Sequence, residues 1–359
     1  MDNKLNELRA RIDTIDDALL QLLSERAQIA QQVGRAKNGD AIYRPEREAQ
    51  ILQRVLAANP GPLNAESVER LFREIMSACR ALEQNLRVAY LGPAGTFSQA
   101  AVYKQFGHEI DALHEADIDA CFRAVETGRA DFAVVPVENS TEGAVSRTLD
   151  LIVTTPLRIC GEIMLPIHQN LMSKTSELSD IKRVYGHAQS LAQCKNWLSR
   201  HLPLAALLPV ASNSEGAILA ADDDEGAALG SEVAAELYGL SILEPRIEDE
   251  ASNTTRFLVL GVNDAAPSGR DKTSLVLGAP NQPGAIVKLL QPLADAGISM
   301  SKLESRPARS ANWEYVFFVV CEGHREDPHL ATTLAEIGRH AAFLKILGSY
   351  PAALASSQV

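Results

Sequence analysis

LLQLLSERAQIAQQVGRAK, residues 19–37, carries an arginine where an apolar rhythm demands a hydrophobe. Upstream, Leu5, Leu8, Ile12, Ile15, Leu19 and Leu22 recur at spacings of 3, 4, 3, 4 and 3, and Ile29 and Val33 continue the series. That spacing is the seam of a long amphipathic helix. The position owed between Leu22 and Ile29 is 26, which is Arg, and Lys37 falls one step past Val33 on the same stripe. Eleven residues make about three turns at ~3.6 residues per turn, so Arg26 and Lys37 share a face. Two readings are open. Arg26 snorkels from a coiled-coil seam or fixes its register. Or the seam opens there onto an anion, because an unpaired buried guanidinium is costly and its planar fork grips a carboxylate with two hydrogen bonds.

The chain has 359 residues, too many for one ordinary core, so two or three domains are expected. It is 46% hydrophobic and 22% charged, the balance of a soluble globular protein. No apolar run is long enough to span a membrane, and the N-terminus lacks the pattern of a signal peptide, so the cytoplasm is the expected compartment. Cys79, Cys121, Cys160, Cys194 and Cys321 are scattered and form no CxxC pair, which predicts reduced thiols without a disulfide frame or zinc site. A net charge of −12 argues against a nucleic-acid partner and makes any local cluster of cations informative.

Three segments follow. Residues 1–86 read as all helix, the first helix running to about Lys37 and ended by NGD (38–40). Pro45 opens a second helix, NPGP (59–62) closes it, and Asn64 can cap a third. Helices so unequal cannot bury the long seam, so the first helix is expected to pair with its copy in a dimer. From residue 87, RVAYLG, DFAVVPVEN, KRVYGHA, AALG and RFLVLG read as short buried strands between helical stretches. This predicts α/β architecture with largely parallel sheets, in two lobes with a cleft, to about residue 262. NDAAPSGRDK (263–272) reads as a linker, and DDDE (222–225) as a solvated loop. Residues 273–350 then run βαββαβ, a small α+β ferredoxin-like domain.

Besides Arg26 and Lys37, the helical segment offers Arg9, Arg47, Glu48 and Glu83. Arg9 lies seventeen residues before Arg26 and points roughly 100° away, so it suits a partner's pocket better than its own. Several cations and a carboxyl enclosed by apolar helix suit a compact dianion. LRARIDTID, LLSERAQIAQQVGRAK and RPERE resemble the all-helical chorismate mutase family. The resemblance implies an intertwined dimer with Arg9 supplied by the partner. Arg26 and Lys37 would bind carboxylates and the ether-side oxygen, with Arg47 beside them and Glu48 on the substrate hydroxyl. The rearrangement needs no nucleophile, only a held conformer and stabilised charge. Glu83 and Cys79 stand where some members carry Gln and Ser. A Glu donates only when protonated, so mutase activity is expected to rise below neutral pH.

GPAGTFSQAA (92–101), VVPVENSTEGAV (134–145) and ASNTTRFLVLG (251–261) each place hydroxyls and amides beside a strand end, where α/β folds bind ligands. Each alone is as readily a capped turn. Together GPAGTFS, PVENSTEG, SNSEGA and TTRF resemble the prephenate dehydratase family, which implies a two-lobed, periplasmic-binding-protein-like α/β domain. The resemblance implies hydrogen bonding from Thr255 to the leaving hydroxyl, with Asn139 and Gln193 in the site. Arg256 is expected to anchor a carboxylate or orient the loop. Gly186 and Ala188 stand where relatives have Ser and Pro, so one cleft hydroxyl is expected to be missing. His187 reads equally as an acid or a structural residue.

GAIV (284–287) after Asn281, and ESRP (304–307), resemble the phenylalanine-binding motifs of ACT domains. That implies L-phenylalanine as effector, held by Asn281, Gly284, Ala285, Ile286, Val287, Glu304, Ser305, Arg306 and Pro307. The three resemblances occur in the order of the bifunctional chorismate mutase/prephenate dehydratase family, and no metal or organic cofactor is implied. An active mutase with an impaired dehydratase, or a catalytically dead sensor, are the alternatives; the retained Arg9, Arg26, Lys37, Glu48 and Thr255 speak against the second.

Overall fold

The computed structural model describes residues 2–36, 43–279, 282–307 and 315–354. Three helices come first: α1 (Asp2–Ala36), α2 (Pro45–Ala57) and α3 (Ala65–Ala81). Pro45 opens α2 as its first residue, and the Asn64 side chain caps α3 by accepting from the Ser67 amide at 2.8 Å. α1 packs on α3, and the apolar seam of α1 lies bare. Leu5, Leu8, Ile12, Ile15, Leu19, Leu22, Ile29 and Val33 are 47–63% exposed.

Next come β1 (Arg87–Leu91), α4 (Phe97–Phe106), β2 (Asp111–Glu115), α5 (Ile118–Glu126), β3 (Phe132–Asn139), β4 (Gly143–Ala144), α6 (Ser146–Thr154) and β5 (Arg158–Pro166). The chain then crosses to β6 (Asn170–Ser173), β7 (Arg183–His187), α7 (Ala188–Gln193), α8 (Lys195–His201), β8 (Ala206–Val210), α9 (Asn213–Ala221), β9 (Gly226–Gly230), α10 (Glu232–Tyr238) and β10 (Ser241–Glu244), and returns as β11 (Thr254–Gly261). Two lobes result. The first sheet has the order β2-β1-β3-β11-β5 with β4 beside β3, and the second β10-β6-β9-β7-β8.

The expected largely parallel sheets are corrected to mixed ones. β1, β2 and β3 are parallel, but β11 runs antiparallel between β3 and β5. β5 leaves the first lobe and β11 returns to it, so the two must run opposite ways. In the second sheet β6 is antiparallel to both β9 and β10, for the same reason of entry and exit.

The last segment is β12 (Asp271–Gly278), α11 (Ala285–Asp295), β13 (Met300–Pro307), β14 (Tyr315–Glu322), α12 (Pro328–His340) and β15 (Phe343–Pro351). Its antiparallel sheet has the order β13-β14-β12-β15. Leu275 and Leu277 face α11 and α12, while Val276, Phe318, Leu347 and Tyr350 join the core of the first lobe. β15 lies so close to β5 that a Cβ at Gly348 would overlap the Ile159 backbone. The stretch read as a linker is packed as well. Ala265 and Ser268 are buried, and Gln50 of α2 donates to the Pro267 carbonyl at 3.4 Å.

DDDE divides. Asp223 binds Arg183 at 2.6 Å and Tyr185 at 2.9 Å, and Glu225 pairs with Lys182, while Asp222 and Asp224 face solvent. All five cysteines are free and buried.

Candidate active sites

The first site is built where α1, α2 and α3 meet. Arg26 is half-buried on α1. Glu48 turns inward from α2 and forms an ion pair with Arg80 of α3. Burial pushes the Glu48 carboxyl above the usual carboxylate range, against the pull of Arg80, Arg73 and Arg26. Glu83, in the turn just after α3, lies against α1 at Gly34, where an added Cβ would overlap its carboxyl group. Gly34 therefore lets a polar side chain reach the helix backbone.

Arg9 and Arg47 are not gathered here within one chain. Arg9 is exposed, and seventeen residues of continuous helix at ~1.5 Å each put it about 25 Å from Arg26. Arg47 is also exposed, and Lys37 lies outside the described residues. Arg80 was not legible from the apolar seam, because it lies off that seam. Its signal is the spacing Arg73-Ser77-Arg80, a second stripe on α3 that faces the first lobe.

The second site lies where the chain crosses between the lobes. Thr255 and Asn139 are register partners on β11 and β3. Asn139 Nδ2 donates to Thr255 Oγ1 and to Asn253 Oδ1, both at 2.8 Å. Its Oδ1 accepts from the Thr141 amide at 3.0 Å and the Thr141 hydroxyl at 2.6 Å. The amide is thus fixed by what it binds. Because Thr255 Oγ1 accepts from Asn139, its own proton is left to donate elsewhere.

A second polar chain comes from the other lobe. Asn213, capped onto α9 by its neighbour Ser212, donates to Ser190 Oγ at 2.8 Å and to Gln169 Oε1 at 3.4 Å. Gln169 donates in turn to Gln193 Oε1 at 3.4 Å. Gln169 sits in the outgoing crossover, and the Ile167 amide there donates to the Asn253 carbonyl of the return at 2.8 Å. Gln193 and Thr255 are therefore joined through both crossovers. The loop before α4 joins the first lobe to the second. Ser231 Oγ donates to the Gly95 carbonyl at 2.8 Å, and Tyr238 donates to that of Ala94 at 3.0 Å. Gly95 has φ +84°, and a Cβ there would come within 3.1 Å of the Tyr238 ring.

Residues 8–84 match the family chorismate mutase type II, residues 88–265 prephenate dehydratase, and residues 273–339 the ACT domain. The bifunctional chorismate mutase/prephenate dehydratase of Neisseria gonorrhoeae is 52% identical over 99% of this chain and 99% of its own. That of Pseudomonas aeruginosa is 48% identical over 98% of this chain and 99% of its own. The chain belongs to the bifunctional chorismate mutase/prephenate dehydratase family. A crystal structure of prephenate dehydratase from Arthrobacter aurescens, in complex with L-Phe, matches with TM-score 0.68 and 35% identity over 74% of this chain and 90% of that one.

In the dehydratase segment two expectations are corrected. Arg256 does not point into the cleft. It donates to Glu162 at 3.0 Å and to the Tyr350 hydroxyl at 3.1 Å, on the face that meets the ACT segment. Successive strand residues point to opposite faces, so Thr255 and Arg256 cannot both face the cleft. Nor does Gly186 leave a gap there. A Cβ at Gly186 would point at Leu191 and Leu229, 3.4 Å away in the apolar core of the second lobe. A serine hydroxyl would sit among leucines. The His187 ring accepts from the Gln189 amide at the start of α7.

In the ACT segment the same alternation divides ESRP. Glu304 pairs with Lys302 at 3.1 Å and Arg306 with Asp150 of α6 at 3.5 Å, on the side of β13 that faces the dehydratase segment. Ser305 and Pro307 are exposed on the opposite side, so the four do not line one face. Gly284, at φ +76°, precedes α11. Ala285 and Ile286 are half-buried, Val287 is 61% exposed, and Asn281 lies outside the described residues. No helix among the described residues is long and apolar enough to cross a membrane.

Proposed function

We propose that residues 1–86 rearrange chorismate to prephenate, residues 87–262 convert prephenate to phenylpyruvate, and residues 273–350 bind L-phenylalanine and feed back on the flux. In the first step Arg26 and Lys37 bind the substrate's carboxylates, Glu48 accepts its hydroxyl and Glu83 faces the ether oxygen. The bare seam of α1 pairs with a second copy, which brings Arg9 to the partner's site and removes about half-exposed leucines and isoleucines from water. Catalysis consists of holding the compact conformer and neutralising charge on the breaking ether.

In the second step the ring carboxylate departs as carbon dioxide. Its electron pair enters the ring, the C4–O bond breaks, and the leaving hydroxide takes a proton to become water. Thr255 hydrogen-bonds the leaving oxygen. The observation that carries this reading is the Asn139–Thr255 bond, which uses the acceptor side of the hydroxyl and leaves its proton for the substrate. Gln193, Asn213 and Ser190 bind the substrate from the other lobe. Thr255→Ala given chorismate alone is expected to accumulate prephenate, while the native chain makes phenylpyruvate. Loss of both activities together would count against it.

A further inference from the structure

Arg80 has no place in the chemistry above, yet it is 7% exposed and bound on three sides. One terminal nitrogen pairs with Glu48. The other donates at 2.6 Å to the carbonyl of Phe106, the last residue of α4 in the dehydratase segment. Its guanidinium carbon stands 5.4 Å from the centre of the Tyr43 ring, whose hydroxyl accepts from Gln105 at 2.8 Å. Arg73, seven residues earlier on the same stripe, donates to the Gln105 carbonyl at 3.1 Å. Both arginines thus hold the C-terminal end of α4, where carbonyls lack helical partners and cations are favoured. Arg80 is the one bonded to Glu48.

We propose that Arg80 is a positioning residue of the mutase site, braced by the dehydratase domain. Arg80 takes Glu48 Oε1 and leaves Oε2 to accept the substrate hydroxyl. A guanidinium presents its donors in a rigid fork, so fixing one arm on Phe106 fixes the other on Glu48. The charged and titratable groups around Glu48 are Arg26 of α1, Arg73 and Arg80 of α3, and Tyr43 before α2; Cys160 and Glu162 of β5 share a small cavity with it. The other end of α4 opens in the loop holding Gly95. One ten-residue helix, about 15 Å long, therefore connects the dehydratase cleft to the carboxylate of the mutase.

The proposal rests on Glu48 holding the substrate, so the test separates the two. Mutase kinetics and thermal unfolding are measured on the full chain for Glu48→Gln, Arg80→Gln, the double variant and Arg73→Gln. Arg80→Gln is expected to lower mutase kcat/KM by roughly ten- to a hundredfold, the range for losing a hydrogen bond to a charged group. In the Glu48→Gln background the same change is expected to cost less than about twofold, because residues acting as a unit are not additive. The acid limb of the Arg80→Gln pH profile is expected to move to higher pH, since Glu48 loses a cation that keeps it ionised. Additive losses, or an equal loss in Arg73→Gln, would overturn the proposal and reduce Arg80 to a domain clamp. An unimpaired Glu48→Gln would overturn the assignment of Glu48, and the inference with it. Should Arg80→Gln not fold, Arg80→Lys keeps the charge but cannot reach both Glu48 and Phe106; a smaller loss that again vanishes in the Glu48→Gln background is expected.

Discussion

Thr255 and Arg256 are adjacent in the chain and face opposite sides of β11. Thr255 accepts from Asn139 at 2.8 Å in the cleft, while Arg256 reaches Glu162 and Tyr350 at the border with the ACT domain. The residue beside the hydroxyl proposed to bond the leaving oxygen therefore belongs to the interdomain contact. Thr255→Ala is expected to lower dehydratase turnover by about a hundredfold or more, the usual worth of a positioned acid–base or hydrogen-bonding group. Mutase turnover should hold, and Thr255→Ser should restore most of the loss. Product analysis after adding chorismate reads both steps at once.

Glu162 is the acid on which Arg256, Lys272 and the Ala353 amide converge, and its side chain is fully buried. Glu162→Gln leaves two cations without their anion, and breaking a buried pair this way costs about 3–5 kcal/mol. A lowered unfolding midpoint in denaturant, with the ACT domain more open to protease, is the expected result.

Acid should act through the same residue. Burial pushes the Glu162 carboxyl up, but Arg256 and Lys272 outweigh it and hold it below the usual range. Asp223 is likewise held down by Arg183, against its burial. A carboxyl whose folded pKa is depressed contributes stability above its unfolded pKa and loses it as pH falls through the folded one. Stability is therefore expected to decline below about pH 4, where unfolded carboxylates begin to bind protons. Asp223→Asn should flatten part of that decline in an unfolding series across pH.

Glu83 can donate to an ether oxygen only when protonated, whereas Gln donates at any pH. Glu83→Gln is expected to raise mutase kcat at neutral pH and to flatten its rise toward acid. An unchanged, flat profile in both proteins would remove Glu83 from the reaction.

Gly34→Ala sets two effects against each other. Alanine favours a helix over glycine by about 1 kcal/mol. The new methyl group, however, must push the flexible Glu83 side chain away from α1. Stability is expected to hold or rise while mutase activity falls and dehydratase activity stays.

The order of elements in the first and last segments, and β1, β3, β7, β9 and β11 between them, were readable from the apolar pattern, because periods of 2 and 3.6 are local properties. Strand direction was not: β11 is antiparallel because the chain leaves one lobe and comes back, which no window of residues records. β5 was also hidden. Its apolar run RICGEIMLP is split by Gly161 and Glu162, and the splitting acid is the one that binds two domains together. The strand ends carrying Thr255 and Asn139 were legible as polar, but the two residues were singled out by the resemblance to prephenate dehydratases. Arg256 was expected to anchor a carboxylate or orient the loop because motif reading credits neighbours alike, while a strand sends them to opposite faces. Arg80 escaped because a seam is read for hydrophobes, and its partners Glu48 and Phe106 lie 32 and 26 residues away.

The contact of β15 with β5 bears on how the chain is born. Arg158 of β5 donates to the Ile346 carbonyl 188 residues downstream, and Leu347 and Tyr350 complete the first lobe's core. A ribosome that has finished the dehydratase sequence has therefore made a lobe with one wall open. The wall arrives only with the last strand of the chain. During that interval the nascent lobe displays apolar surface that a chaperone can hold, so truncation within β15 should deplete soluble dehydratase as well as the sensor.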